Sequence, residues 1–208
     1  TFRPDIVGEA DIVEEIIRIY GYNKIPLKKI TYQEEKKQIL NSKIKTFYKS
    51  KKIIALNGYS EVVTWSFMDE KKAKIISDEL ISLKNPISND LNTMRPSMLP
   101  NLLEAINQNK AKMYLRAKIF EVGPNFSKSL PDQQENIATA IAYGLSDEQN
   151  WLSNKKNIDV FSIKADLFSI LANLNVPTDN LLYEKLEGKI YHPGKSSSLR
   201  LGKNKIAN

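Results

Sequence analysis

The sequence has no cysteine and only one histidine, His192. The first absence excludes disulfides, zinc–thiolate centres and a cysteine nucleophile, and it is compatible with a reducing compartment. The lone histidine sits in YHPGK, where Pro193 and Gly194 define a turn, so it reads as a structural turn residue and not as a base. No Walker A pattern, no G-x-G-x-x-G and no G-x-S-x-G occurs. The familiar phosphate-cradling loops and the serine nucleophile elbow are therefore excluded. No apolar run approaches the ~20 residues that span a bilayer. No signal peptide pattern is visible, since Thr1 opens directly into TFRPDI. That abrupt start, and the end at IAN, read as cuts within a longer chain. Arginine is confined to positions 3, 18, 95, 116 and 200.

What is present is ordinary globular material. The 208 residues are 41% hydrophobic and 9% aromatic, enough for one sizeable domain with a real core, or one domain and a piece of another. The net charge is +7 and the pI about 9.3, mostly from scattered lysine. Such a balance attracts nucleic acid and acidic surfaces but says nothing about fold. The densest run, Lys43 to Lys52, interleaves with Phe47 and Tyr48 as the solvated face of a helix does.

Periodicity predicts a short extended piece over 1–7 and a helix over 10–20, closed by Gly21. Pro26 forbids its continuation. A long helix is predicted over 35–56, with Leu40, Ile44, Phe47, Tyr48 and Ile54 in one apolar stripe. EVVTWSF (61–67) reads as a strand, Asp69 as the cap of a helix to residue 76, and ISLKNP (81–86) as a strand stopped by Pro86. A helix follows over 97–109, strands over 117–126 and 136–146, and a helix over 161–174. LLYEKL, KIYHPG and SSLRL read as strands joined by turns. Strands adjacent in sequence favour an antiparallel or mixed sheet with helices on its faces, an α+β class.

The densest chemical constellation is acidic. Asp5, Asp11, Glu14 and Glu15 fall together, with Glu14 and Glu15 three and four residues beyond Asp11 in the predicted helix. Clustered carboxylates suit a hard cation such as Mg²⁺. Equally, acids in a first turn stabilise the helix dipole with no metal present.

The same region is similar to a known family. RPDI, EAD and IVEEIIRIYGYNKIP resemble the end of the small helical domain of phenylalanyl-tRNA synthetase β subunits, with its "ARIYGY" helix end and "IP" exit. GYSEVVTWSF resembles that family's "GyxEvitySF". LKNPISNDLNTMRPSMLPNLLEAINQN resembles its "NPls…mRpSLlpgLLea" segment. KIFEVGPNF resembles "lFEiGrvF", DVFSIKADLFSIL resembles "DFFdlKGdle.lL", and YHPGKSSSLRLG resembles "HPGrsA.i.lg". The matches keep one order and spacing and cover nearly the whole chain.

The resemblance implies a division into 1–27, the end of the preceding small domain, and 28–208, a class II synthetase catalytic-like core cut short at its C-terminal end. It implies an antiparallel sheet flanked by helices, catalytic residues lost, and a structural role. It also implies a cytoplasmic (αβ)₂ assembly whose α subunit binds ATP, phenylalanine and the acceptor end of tRNA(Phe). A Mg²⁺ site shared with the α subunit is implied at Asp5, Asp11, Glu14 and Glu15. The editing domain is expected upstream, and the anticodon-binding domain downstream.

Active class II cores follow the strand resembling "GrvF" with Arg-x-Glu or Arg-x-Asp, whose arginine grips the ATP α-phosphate. Here Phe126 is followed by Ser127, Lys128 and Ser129, so serine stands at both the arginine and the acidic positions. Pro124 and Asn125 also depart from the family's "rv". Two rivals are weighed against this reading. A stand-alone basic nucleic-acid-binding domain would interleave arginine and aromatics on an exposed groove, and arginine is scarce. An active synthetase would need the arginine that Ser127 replaces.

Overall fold

A computed structural model describes residues 2–29, 40–127, 134–146, 151–152, 156–186, 188 and 190–208. The chain divides into two units, Thr1–Ile39 and Leu40–Asn208. In the first, helix α1 spans Glu9–Tyr20. Its start is held by Asp11, whose Oδ2 accepts from the N–H of Gly8 at 2.8 Å and of Val7 at 2.9 Å. These donors have no partner in the helix itself. Its end is held by Gly21, at φ +106°, whose N–H donates to the Ile17 carbonyl at 2.8 Å. That φ is cheap only for glycine. No residue of α1 is buried, and Ile12, Val13, Ile16 and Ile19 are all exposed.

The second unit opens with α2, Ser42–Leu56, then the two-residue strand β1, Ser60–Glu61. Next come β2 (Phe67–Met68), α3 (Glu70–Ile76) and β3 (Thr93–Met94). α4 (Leu99–Ala111), β4 (Arg116–Phe126), β5 (Gln134–Gly144) and α5 (Val160–Asn173) follow. The chain closes with β6 (Leu182–Lys185), β7 (Ser197–Leu201) and β8 (Asn204–Ala207). Caps explain the helix starts. Asp69 accepts from Lys71 N–H at 2.6 Å ahead of α3. Asp159 and Ser162 exchange backbone-to-side-chain bonds at 2.8 and 3.0 Å ahead of α5, a capping box. Pro100 fits the first turn of α4, where its missing N–H costs nothing.

The class is α+β, as periodicity predicts, but its strands form three sheets. β4 is central, parallel to β1 and antiparallel to β5 along all eleven residues of each. β2 and β3 pair alone, and β6, β7 and β8 form a separate antiparallel sheet. β4 sends alternate side chains to opposite faces. Phe120 and Val122 pack with Ile54 of α2 and Tyr59, flanked by Phe47 and Ile170. Ile119 faces the other way, to Leu102 and Ile106 of α4. A third cluster joins Leu171 of α5 to Leu181 and Leu199, attaching the C-terminal sheet.

Several sequence expectations are corrected. α2 begins at Ser42, because the Asn41 side chain accepts from Ile44 N–H at 2.9 Å and caps it there. Residues 35–39 of the predicted helix lie outside the described residues, and Leu40 is not helical. At about 1.5 Å per residue the helix is ~22 Å long. The expected strand 61–67 breaks after Glu61. Thr64 N–H turns to the Glu121 carboxylate, the Trp65 carbonyl to the Asn101 amide and the Ser66 carbonyl to Arg95 N–H. The first two of these are satisfied by side chains, and the third leads into the β2–β3 pairing. The 81–86 strand is reduced to a single bridge, Ser82 to Thr93. Within KIYHPG the described residues form a turn, where Gly194 N–H donates to His192 Nδ1 at 3.0 Å.

A Tyr–Asp–Lys cluster ties α2's exit to β4 and α5. Tyr59 Oη donates to Asp166 Oδ2 at 2.9 Å, and Lys118 Nζ donates to the same oxygen at 2.8 Å. The Lys118 ammonium also lies 4.9 Å from the Tyr59 ring centre. Burial first, then the Asp166 carboxylate, pushes the Tyr59 hydroxyl far above its ordinary value of 10.0. A raised native pKa means that stability is complete below that ordinary value and is lost as pH rises above it. Urea unfolding between pH 8 and 12 should therefore show a falling stability limb. Tyr59→Phe should cost about 1 kcal/mol at neutral pH and flatten that limb. Parallel limbs for both chains would show that another group is responsible.

Candidate functional site

The one fully buried arginine is the natural candidate for a missing active-site cation. Arg95 is 2% exposed and its partner Glu121 is 4% exposed. Arg95 Nη1 donates to Glu121 Oε1 at 2.7 Å and to Thr64 Oγ1 at 3.0 Å, while Nε donates to the Pro124 carbonyl at 3.1 Å. Thr64 Oγ1 donates in turn to Glu121 Oε2 at 2.7 Å and accepts from the Asn101 amide at 3.2 Å. That uses the hydroxyl's one proton and both lone pairs. The guanidinium fork is thus turned inward on the protein's own acceptors. A cleft of about 620 Å³ runs past Thr64 and Asn101, with Trp65 on its wall and Lys72 paired to Glu104 at 2.7 Å.

The hairpin end lies next to this network. Phe126 N–H donates to the Arg95 carbonyl at 3.0 Å, and Phe126 pairs with Gln134 across the hairpin. Ser127 follows, exposed. Lys128 and Ser129 lie outside the described residues. Pro124 and Asn125, which depart from the family pattern, leave the strand intact. They sit in register with Asn136 and Glu135, and the Pro124 carbonyl is taken by Arg95. Arg95 therefore approaches the position through its backbone while its side chain points elsewhere.

The four candidate metal-ligating acids of the N-terminal unit do not converge. Asp11 is spent on the Gly8 and Val7 N–H groups, which hold its carboxyl below the usual range. Asp5 is paired with Arg3, which lowers it in the same way. Glu15 is lowered by Arg18 first and Arg3 second, at 2.7 and 2.9 Å. Glu14 is exposed and, as the residue before Glu15, projects about 100° away around the helix. Among the described residues no three acids, histidines or cysteines come together as a metal-holding group. A Mg²⁺ ion does not fit this arrangement, because the Arg3 guanidinium already supplies the cation between Asp5 and Glu15.

α2 presents two different faces. Phe47, Ser50, Ile53 and Ile54 turn inward, whereas Tyr48 is 62% and Leu56 76% exposed. The stripe read from the sequence therefore divides, since Phe47 and Ile54 are core while Leu40, Ile44 and Tyr48 are surface.

The fold is that of an aminoacyl-tRNA synthetase. The structure matches a pyrrolysyl tRNA synthetase from Desulfitobacterium hafniense with a TM-score of 0.55, at 14% identity, over 79% of this chain and 55% of that one. The family model of the phenylalanyl tRNA synthetase beta chain CLM domain matches residues 27–208, and that of the tRNA synthetase B5 domain matches residues 1–22. The chain belongs to the phenylalanyl-tRNA synthetase β-chain family. It is 34% identical to the phenylalanine–tRNA ligase beta subunit of Rhodospirillum rubrum, over 100% of this chain and 26% of that protein. The corresponding subunit of Bartonella henselae is 37% identical, over 97% and 26%. That of a Wolbachia from Brugia malayi is also 37% identical, over 99% and 25%. The chain spans about a quarter of the length of these relatives.

The buried network was not singled out from the sequence, although signals existed. Glu121 is a lone acid inside the apolar run IFEV, and Arg95 lies between Met94 and Met98. Each needed a partner that spacing alone could not name. Removing one partner strands a charge in the interior, which costs about 3–5 kcal/mol. Arg95→Met should destabilise the chain by about that much in urea titration. Gly123→Ala should also destabilise it, because an added Cβ would lie 2.9 Å from Arg95 Nη2. An Arg95→Met chain within about 1 kcal/mol of the original would show that the pair is dispensable.

Proposed function

We propose that this chain is a scaffolding and assembly part of a phenylalanine–tRNA ligase β subunit. It supports ATP-dependent charging of tRNA(Phe) by an α subunit and contributes no catalytic residue. The observation that carries this is the hairpin end: Ser127 stands where an active core needs its arginine, and the neighbouring Arg95 is committed to Glu121, Thr64 and Pro124. Family membership supports the ligase context, and it does not favour a stand-alone nucleic-acid-binding domain.

In this reading residues 1–27 close the preceding small domain and 28–208 form the class II catalytic-like core. The whole assembly is a cytoplasmic (αβ)₂ tetramer that also binds tRNA. Among the described residues no helix is long and apolar enough to cross a membrane. The outer face of α2 meets the α subunit. Its exposed Tyr48 and Leu56 are the apolar surface left after Phe47 and Ile54 are taken by the core. A Mg²⁺ ion at Asp5, Asp11, Glu14 and Glu15 belongs to this reading only in the whole enzyme, where a partner's groups must first draw Arg3 away.

Two measurements test it. The purified chain should give no phenylalanine-dependent ATP–pyrophosphate exchange, and exchange from a sample free of α subunit would overturn the reading. Calorimetric titration with Mg²⁺ should show no micromolar site, because Arg3 and the backbone donors already hold the carboxylates. Micromolar affinity in the chain alone would contradict the observed pairing.

A further inference from the structure

This inference rests on the reading of α2 as the face that meets the α subunit. α2 carries Lys43, Lys45, Lys49, Lys51 and Lys52 and no aspartate or glutamate. Lys51 is neutralised by Glu61 at 2.6 Å and lies 4.7 Å from the Phe47 ring centre. No described carboxylate pairs with Lys45, Lys49 or Lys52, and all three are exposed. They follow one another at four- and three-residue steps, so they stack along one stripe of the helix. Tyr48 and Leu56 belong to the same stripe by the same spacing. It is thus a lysine stripe with Tyr48 and Leu56 set into it, Lys52 lying between them, on the side opposite the core.

We propose that the surface covering this stripe is acidic protein: a segment of the α subunit that presents aspartate and glutamate beside apolar side chains. Tyr48 and Leu56 gain from an apolar cover. The lysines around them then lose water, and they need carboxylates to replace it. A second copy of the chain is a poor occupant, because a two-fold contact would set lysine stripe against lysine stripe. A nucleic-acid backbone would satisfy the lysines but offer nothing to Leu56. α2 also has no arginine to fork onto phosphate.

The test uses the whole β subunit co-expressed with its α subunit, with assembly measured by sedimentation across a range of NaCl concentrations. A Lys45→Glu, Lys49→Glu, Lys52→Glu triple variant should weaken association by about tenfold or more at low salt. The corresponding triple Gln variant should lose most of the salt dependence. A control triple variant at the exposed Lys185, Lys203 and Lys205 should change neither. Tyr48→Asp separates the two readings. If it weakens assembly while the Lys45, Lys49, Lys52 variants do not, α2 is an interface but its cover is not acidic. If none of these variants weakens assembly, the interface reading fails as well. Retention of a tRNA transcript lost in the triple Glu variant, with subunit assembly unchanged, would assign the stripe to nucleic acid and overturn the inference. Self-association of the β subunit that requires the same lysines would overturn it in favour of a second copy.

Discussion

The second unit depends on one buried ion pair. Arg95 and Glu121 lie in the interior, where each charge alone would cost several kcal/mol to desolvate. They are tolerable only because every group around them is aimed at them. Thr64 bridges both, Asn101 steadies Thr64, and the Pro124 carbonyl takes the remaining reach of Arg95. This draws four stretches of chain to one point: the irregular segment after β1, the segment after β3, the start of α4 and the far half of β4. Such networks specify one arrangement, because a partly satisfied version is worse than an apolar core. The close approach of Arg95 to Gly123 shows how little room the arrangement leaves.

On the proposed reading, the same network accounts for a synthetase-like fold that contributes no catalytic residue. A catalytic arginine must present its fork to a ligand. Here the arginine nearest the hairpin end presents its backbone there and its fork to the interior. The exposed residue at that end is Ser127, a small neutral hydroxyl. In that reading the hairpin serves to hold β4 and β5 together along their eleven paired residues. Helices pack on both faces, α2 and α5 on one and α4 on the other.

Charge is handled differently in α1 and α2. In α1 Asp11 is matched by backbone N–H groups and Glu15 by Arg3 and Arg18. In α2 only Lys51 finds a described acid, and the outer stripe keeps its charge. An unbalanced stripe is a long-range feature that steers and selects partners more than it stabilises the fold.

Much of the local structure was legible in the sequence. The helices over 10–20, 97–109 and 161–174 and the strands over 117–126 and 136–146 emerge within a few residues of the observed bounds. Periodicity and caps such as Asp69 and Gly21 act between near neighbours in the chain, so the sequence alone determined them. It also determined the α+β class, the absence of thiol chemistry and the serine at the arginine position. The start of α2 was misplaced because Leu40 continues the apolar period past the Asn41 cap. The strand over 61–67 was lost because Thr64, Trp65 and Ser66 find partners some 30 to 60 residues away. Tertiary structure alone decided that Arg95 and Glu121 meet, that Arg3 stands between Asp5 and Glu15, and which half of α2's stripe faces water. Each of these is a contact between groups whose positions are set by packing, and packing is not written in the spacing of any one segment.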